Sequence, residues 1–287
     1  VTHRDERLFG GAWRARSLLD INHASRRADM FQTATRISDP SPMSPVRAAV
    51  ATASEDQASS HRIATSLDRI RQSVAIQRRI VRQGDFVYQA GKAFAQLFVV
   101  NTGMFKVVNL SRDGREQIVA LKYRGDWMGF DGIADHRHDC DAVAMDTGEV
   151  WSISYDALLQ AGAREPALMA TLHRAMSREI ARDRGSLISV CTLPADARVA
   201  DFLCNWAGAL ACRGLRTDQV TLRMTRAEIG NYLGLTLETV SRALSRLDRE
   251  GLIRFVDKRR RELHLPDLPA LGEFVRQGVE PVSQTLQ

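Results

Sequence analysis

Glu238, Ser241, Arg242 and Ser245 fall at i, i+3, i+4 and i+7. On a helix that spacing lines them along one face. Arginine can fork onto O6 and N7 of a guanine, glutamate can accept from an exocyclic base amine, and serine can serve either partner. Val240, Leu244 and Leu247 repeat at helical spacing on another face, so one helix has a side to bury and a side to offer. The polar set lies in the first two turns, the part of a recognition helix that enters a major groove. Glu238, Ser241 and Arg242 are therefore the expected base-reading residues.

The elements that must hold this face can be read from their punctuation. Thr225-Arg226-Ala227-Glu228 is a capping box, whose hydroxyl and carboxylate each bond the other residue's backbone N–H. The helix it opens stops at Gly234, which supplies the positive φ of a tight turn. Thr236 caps a second helix predicted to run to about Arg249, with Gly251 closing it. A basic hairpin follows. Lys258, Arg259 and Arg260, together with Thr225, Thr236 and Ser245, are the expected phosphate contacts, acting without sequence preference. Residues 223–261 hold ten Arg or Lys and five Asp or Glu, a net +5, in a chain whose total is +6. Positive charge is thus concentrated where phosphates would lie. A helix pair that only packs against protein is the alternative, and it leaves this excess unexplained.

The 287 residues suffice for two domains. A content of 44% hydrophobic and 26% charged residues is that of an ordinary soluble protein. No apolar run reaches the ~18 residues of a membrane span, and no signal-peptide core follows the N-terminus. A cytoplasmic location is expected. The cysteines at 140, 191, 204 and 212 share no C-x-x-C spacing and read as buried or idle thiols in a reducing compartment.

Along the chain, residues 1–60 read as a disordered tail, Arg-rich and then rich in Ser, Ala and Pro. A short helix is expected over about 62–74, with Ile63, Leu67 and Ile70 on one side. Between 76 and 155, short apolar runs such as Leu97-Phe98-Val99-Val100 alternate with glycine turns such as Asp113-Gly114. That rhythm predicts a double-sheet β-roll of jelly-roll type, placed at 61–163. From Pro166 to about Val190, Met169, Leu172, Met176, Ile180, Asp183 and Leu187 step by three or four. Such a seam needs a partner, and a homodimer along a helix at 164–192 is expected; a helix folded onto its own roll is the competing reading. Pro194 ends it, and another helix over about 195–211 opens a winged helix-turn-helix domain at 193–287. The fold class is α+β.

With these pieces in order, the chain resembles the Crp/Fnr superfamily of bacterial transcription regulators over about residues 62–275. The similarity centres on the stretch from Met224 to Arg242, and Glu238, Ser241 and Arg242 match the Glu-x-x-Ser-Arg set of the Fnr branch. The resemblance implies a cyclic-nucleotide-binding-like roll, a dimerisation helix, and homodimeric binding of double-stranded DNA at a TTGAT-type palindrome. It also implies contact with RNA polymerase through the turn at Ser111–Glu116. Fnr-type oxygen sensors carry three cysteines before the roll, whereas this chain has none before Cys140, so no iron–sulfur cluster is expected. Nucleotide binders have Gly-Glu and Arg-Ser where this chain has Gly129-Phe130 and His138-Asp139, and an aspartate there would repel a cyclic phosphate. Cyclic AMP is accordingly not expected, nor is any other cofactor.

One loop, His136-Arg137-His138-Asp139-Cys140, carries a different chemistry: His136, His138 and Cys140 could ligate a metal or haem iron. That loop motivates a rival reading as a cupin-like metalloenzyme, for which the next glutamate is Glu149 and the next histidine His173. A roll that binds an effector without DNA is a second rival. The regulator, which is not an enzyme, is the expected function.

Overall fold

The computed structural model describes residues 53–278, apart from 112, 258 and 259. It opens with α1 (Ala53–Ser73) and then a roll of two antiparallel four-stranded sheets. The strands are β1 (Gln77–Val81), β2 (Phe86–Tyr88), β3 (Gln96–Thr102), β4 (Phe105–Leu110), β5 (Glu116–Lys122), β6 (Trp127–Met128), β7 (Cys140–Ala144) and β8 (Gly148–Ser154). One sheet has the order β1-β8-β3-β6 and the other β2-β7-β4-β5. Between them lies a core that includes Phe98, Val100, Phe105, Met128 and Val150.

The helix read as starting near 62 begins at Ala53, eight residues inside the segment read as tail. Leu67 and Ile70 are buried on the roll and anchor the helix. The rest of the tail, residues 1–52, lies outside the described residues.

After the roll come α2 (Tyr155–Arg164) and α3 (Pro166–Thr192), a 27-residue helix with its proline in the first turn. The expected single seam divides in two. Leu168, Leu172 and Ala175 are buried with Trp127, Trp151 and Ile153 of the chain's own roll, and Met169 and Met176 pack beside them. Leu172 is thus a core residue and cannot serve a partner. The roll offers this half of the helix apolar surface without the entropic cost of association. Beyond it Ile180 and Leu187 remain 49% and 64% exposed, and Asp183 between them is exposed too.

α4 (Ala195–Ala211), α5 (Arg226–Leu233) and α6 (Leu237–Arg249) follow, with β9 (Gln219–Thr221), β10 (Arg254–Phe255) and β11 (Glu262–His264) forming a small sheet, and α7 (Leu268–Gln277) closing the domain. The α5–α6 turn depends on two glycines. Gly234 has φ +66, and a Cβ on Gly230 would lie 2.6 Å from the Leu235 carbonyl oxygen. The domain's core, which includes Phe202, Trp206, Ile229, Leu244 and Leu247, continues into Met104, Val108 and Ile118 of the roll.

Candidate nucleic-acid interface

α6 presents the two faces its sequence implies. Val240, Ala243, Leu244 and Leu247 are at most 1% exposed and lock the helix to α4 and α5. On the other side Glu238 and Arg242 are exposed, with Ser241 and Ser245 half-buried. Among the described residues, neither Glu238 nor Arg242 makes a hydrogen bond or ion pair. A free carboxylate and a free guanidinium one turn apart are open to a ligand's donors and acceptors. Arg246, one turn further on, is not free in this way: it pairs with Asp196 at 2.7 Å and Glu250 at 2.8 Å.

The N-termini of both helices are capped as expected. The Thr225 hydroxyl accepts from the Glu228 N–H at 3.1 Å, and the Glu228 carboxylate accepts from the Thr225 N–H at 2.9 Å. The hydroxyl also donates to that carboxylate, so the Thr225 side chain is committed to the cap. Thr236 accepts from the Thr239 N–H at 3.2 Å and is exposed.

Of the three hairpin cations, Lys258 and Arg259 lie outside the described residues. Arg260, with φ +55, folds back: its guanidinium sits 4.0 Å from the Phe255 ring centroid, 3.9 Å from Asp248 and 3.4 Å from the Ser245 hydroxyl. It ties hairpin to recognition helix, and its backbone carbonyl accepts from Arg226 at 2.6 Å. This brace was not legible in the sequence, because it depends on the path of the turn.

The sequence also gave no sign that the roll grips α5. Lys106 of β4 donates to the free oxygen of Glu228 at 2.6 Å. Burial works to raise the Glu228 carboxyl, but Lys106 and the Thr225 bonds outweigh it and hold it below the usual range. Asn231 accepts from the Ile118 N–H at 2.6 Å and donates to the Glu116 carbonyl at 2.7 Å.

The histidine loop does not assemble a metal site. His138 is buried and stacked on Tyr88, Cys140 is buried beside Asn109, and His136 is exposed. Glu149 accepts from Asn101 and Trp151, and His173 is exposed on α3. Among the described residues no group of three His, Cys, Asp or Glu is placed to hold a metal ion. All four cysteines are free; burial pushes Cys140 up to about 11 and Cys204 up to about 12. Asp131 accepts from the backbone N–H groups of Asp139 at 2.9 Å and Cys140 at 3.2 Å. Burial acts to raise its carboxyl, yet His138 and those amides win and hold it below the usual range.

A roll joined by a long helix to a winged helix-turn-helix with an open polar face is the plan of a DNA-binding transcription regulator. The sequence profile of a cyclic nucleotide-binding domain matches residues 78–165, and that of a Crp-like helix-turn-helix domain matches residues 197–274. The chain is 37% identical over 197 residues to the transcriptional regulatory protein btr of Bordetella pertussis, covering 69% of this chain and 80% of that one. It is 35% identical over 189 residues to the transcriptional activator protein Anr of Pseudomonas protegens, covering 66% and 76%. FixK2 from Bradyrhizobium japonicum superposes with a TM-score of 0.63 at 26% identity, over 73% of this chain and 100% of that one. The chain belongs to the Crp/Fnr family of transcription regulators. Among the described residues no helix is long and apolar enough to cross a membrane.

Proposed function

We propose that two copies of the chain clasp along the second half of α3 and lay a pair of α6 helices into successive major grooves of a palindrome with TTGAT-type half-sites. One observation carries this reading: Glu238 and Arg242 stand exposed, and unpaired among the described residues, on the face opposite the buried seam of α6. In this arrangement Arg242 forks onto a guanine, Glu238 accepts from an amine of the adjacent pair, and Ser241 bridges them. A single α6 reaches too few base pairs for selectivity, whereas two, a helical turn apart, reach enough. The exposed Ile180 and Leu187, with Ile188 beside them, supply the apolar surface for the pairing.

The roll of this regulator does not take a cyclic nucleotide. The Asp131 carboxylate already fills the consecutive amides of Asp139 and Cys140, where a phosphate would need to sit, and no cofactor is required for DNA reading. The exposed turn at Ser111–Glu116 is offered to RNA polymerase.

The test is fluorescence anisotropy with a duplex carrying the palindrome and a second in which the guanine of each half-site is changed. A mismatched pair costs about 1–3 kcal/mol, so the two changes together are expected to weaken binding by at least about 30-fold. Equal affinity for both duplexes would discard the assignment.

A further inference from the structure

A second concentration of positive charge, away from α6 and its hairpin, lies where α1 runs beside α3. Ser73 and Arg69, at the end of α1, both reach Glu165 at the start of α3. Running back along α1 therefore means running forward along α3, which brings Arg62 to the middle of the long helix. There Arg174, Arg178 and Arg182 stand at i, i+4 and i+8. They make one stripe, with about 6 Å of rise between successive members. All four arginines are exposed residues.

The carboxylate at the edge of this stripe is already shared: Asp126 pairs with Arg182 at 3.0 Å and with Arg213 at 2.9 Å. Arg174 and Arg62 bond only neutral hydroxyls among the described residues, Thr171 at 3.1 Å and Ser59 at 2.7 Å. Arg178 bonds none of the described residues. Loss of water around its guanidinium, and then Arg182 beside it, hold it below its ordinary value. Arg174 and Arg62 push the same way, and Asp126 opposes them. Like charges held together on two packed helices repel, so the stripe is built to be relieved by an anion.

Charge and length narrow what that anion is. Residues 1–52 carry eight Arg against five Asp or Glu, so the chain's own N-terminal segment adds to the excess instead of cancelling it. From Arg174 to Arg182 the stripe rises about 12 Å, more than a single phosphate spans. Guanidinium groups meet phosphate oxygens in forked, charge-assisted pairs.

We propose that Arg62, Arg174 and Arg178 bind a chain of linked phosphates, inorganic or the tail of a nucleotide, laid along α3 against α1. Asp126 joins the roll to α3 and to Arg213 here, and Ser60 of α1 lies against Gly214, just past α4. The anion therefore sits at the joint between the roll and the DNA-reading domain, apart from α6.

Isothermal titration calorimetry of the full chain, at fixed ionic strength and with a saturating DNA duplex covering α6, tests this with tripolyphosphate, orthophosphate and ATP. Tripolyphosphate is expected to bind at least about ten-fold more tightly than orthophosphate, since its charge is greater. Arg174→Gln and Arg178→Gln should each weaken it about three-fold, as loss of one exposed ion pair does. Neither side chain holds an ion pair among the described residues, so both variants keep the fold; Arg182 is left alone because it holds Asp126. Tighter binding of ATP than of tripolyphosphate assigns the site to a nucleotide, and equal or weaker binding assigns it to the phosphate chain alone. No binding of tripolyphosphate at millimolar concentration, or an affinity unchanged in both variants, would overturn the proposal. Binding that the duplex abolishes would overturn it too, by placing the anion on the DNA-reading face.

Discussion

In the proposed reading, recognition at Arg242 comes down to one guanidinium that pairs with none of the described residues. Because it makes no bond to the described residues, truncating it should cost the fold little and the proposed complex much. Arg242→Ala is expected to lose about 1–3 kcal/mol of binding and to relax preference at one base pair. Anisotropy on a panel of single-substitution duplexes checks this, and uniform weakening on every duplex would reassign Arg242 to phosphate. Gly230 is the opposite case, a residue whose importance is wholly internal. A Cβ there would press on the Leu235 carbonyl at 2.6 Å, a backbone atom fixed by the Gly230 carbonyl, which accepts from the Leu235 N–H. Gly230→Ala is therefore expected to cost about 1–3 kcal/mol, the usual penalty of overpacking, seen as a lower urea midpoint. An unchanged midpoint would mean that α5 and the turn can part without loss. That Glu238, Ser241 and Arg242 share one face of α6 was legible from spacing alone, since helix geometry fixes which residues lie together. The need for Gly230 was not, because the atom it makes room for belongs to the next turn.

Helices declared themselves in the sequence where caps and breakers stand at their ends. Pro194, the Thr225–Glu228 box, Gly234 and Thr236 set the limits of α4, α5 and α6 within a residue or two. Strands without that punctuation went unread: β7 is Cys-Asp-Ala-Val-Ala, small and mixed, and β9 is three residues whose partner lies some forty positions on. The α3 helix shows the limit differently. Its heptad spacing is real along its whole length, but spacing alone cannot say whether the partner surface is a second chain or the same one. The roll takes the first half and leaves Ile180 and Leu187 open. If the open half pairs with a second copy, Leu187→Asp should shift sedimentation equilibrium toward monomer at micromolar concentration. Asp183→Ala should shift it toward dimer, because two carboxylates facing across a two-fold axis repel. If neither variant moves the equilibrium, the interface lies elsewhere.

Across the molecule, buried ions fasten the roll to both helical parts. Asp126, in the turn after β5, pairs with Arg182 of α3 at 3.0 Å and with Arg213, just past α4, at 2.9 Å. Arg213 also donates to the carbonyls of Arg124 and Ala209 and lies over the Tyr123 ring. Lys122, nearly fully buried, pairs with Glu179 of α3. With Lys106 and Asn231 holding α5, the recognition helix is referenced to the roll through hydrogen bonds and charge as well as apolar contact. Such networks cost much to break from one side, since the remaining charge is left buried. Desolvation acts to raise the Asp126 carboxyl, but Arg182 and Arg213 overcome it and hold it below the usual range. A carboxyl depressed by folding contributes stability that is fully present above its unfolded value, about 3.9. That contribution is lost as pH falls through the lower, folded value. Asp126→Asn is therefore expected to cost about 3–5 kcal/mol at pH 7, the usual loss when a buried pair is broken from one side. The gap between variant and parent should then narrow as pH falls below about 4 and the parent's own carboxylate takes up its proton. Urea denaturation of both proteins at pH 7 and at successive steps below pH 4 measures this. A gap of the same size at every pH would mean that shape and hydrogen bonding, rather than the charge of Asp126, join the roll to the DNA-reading domain.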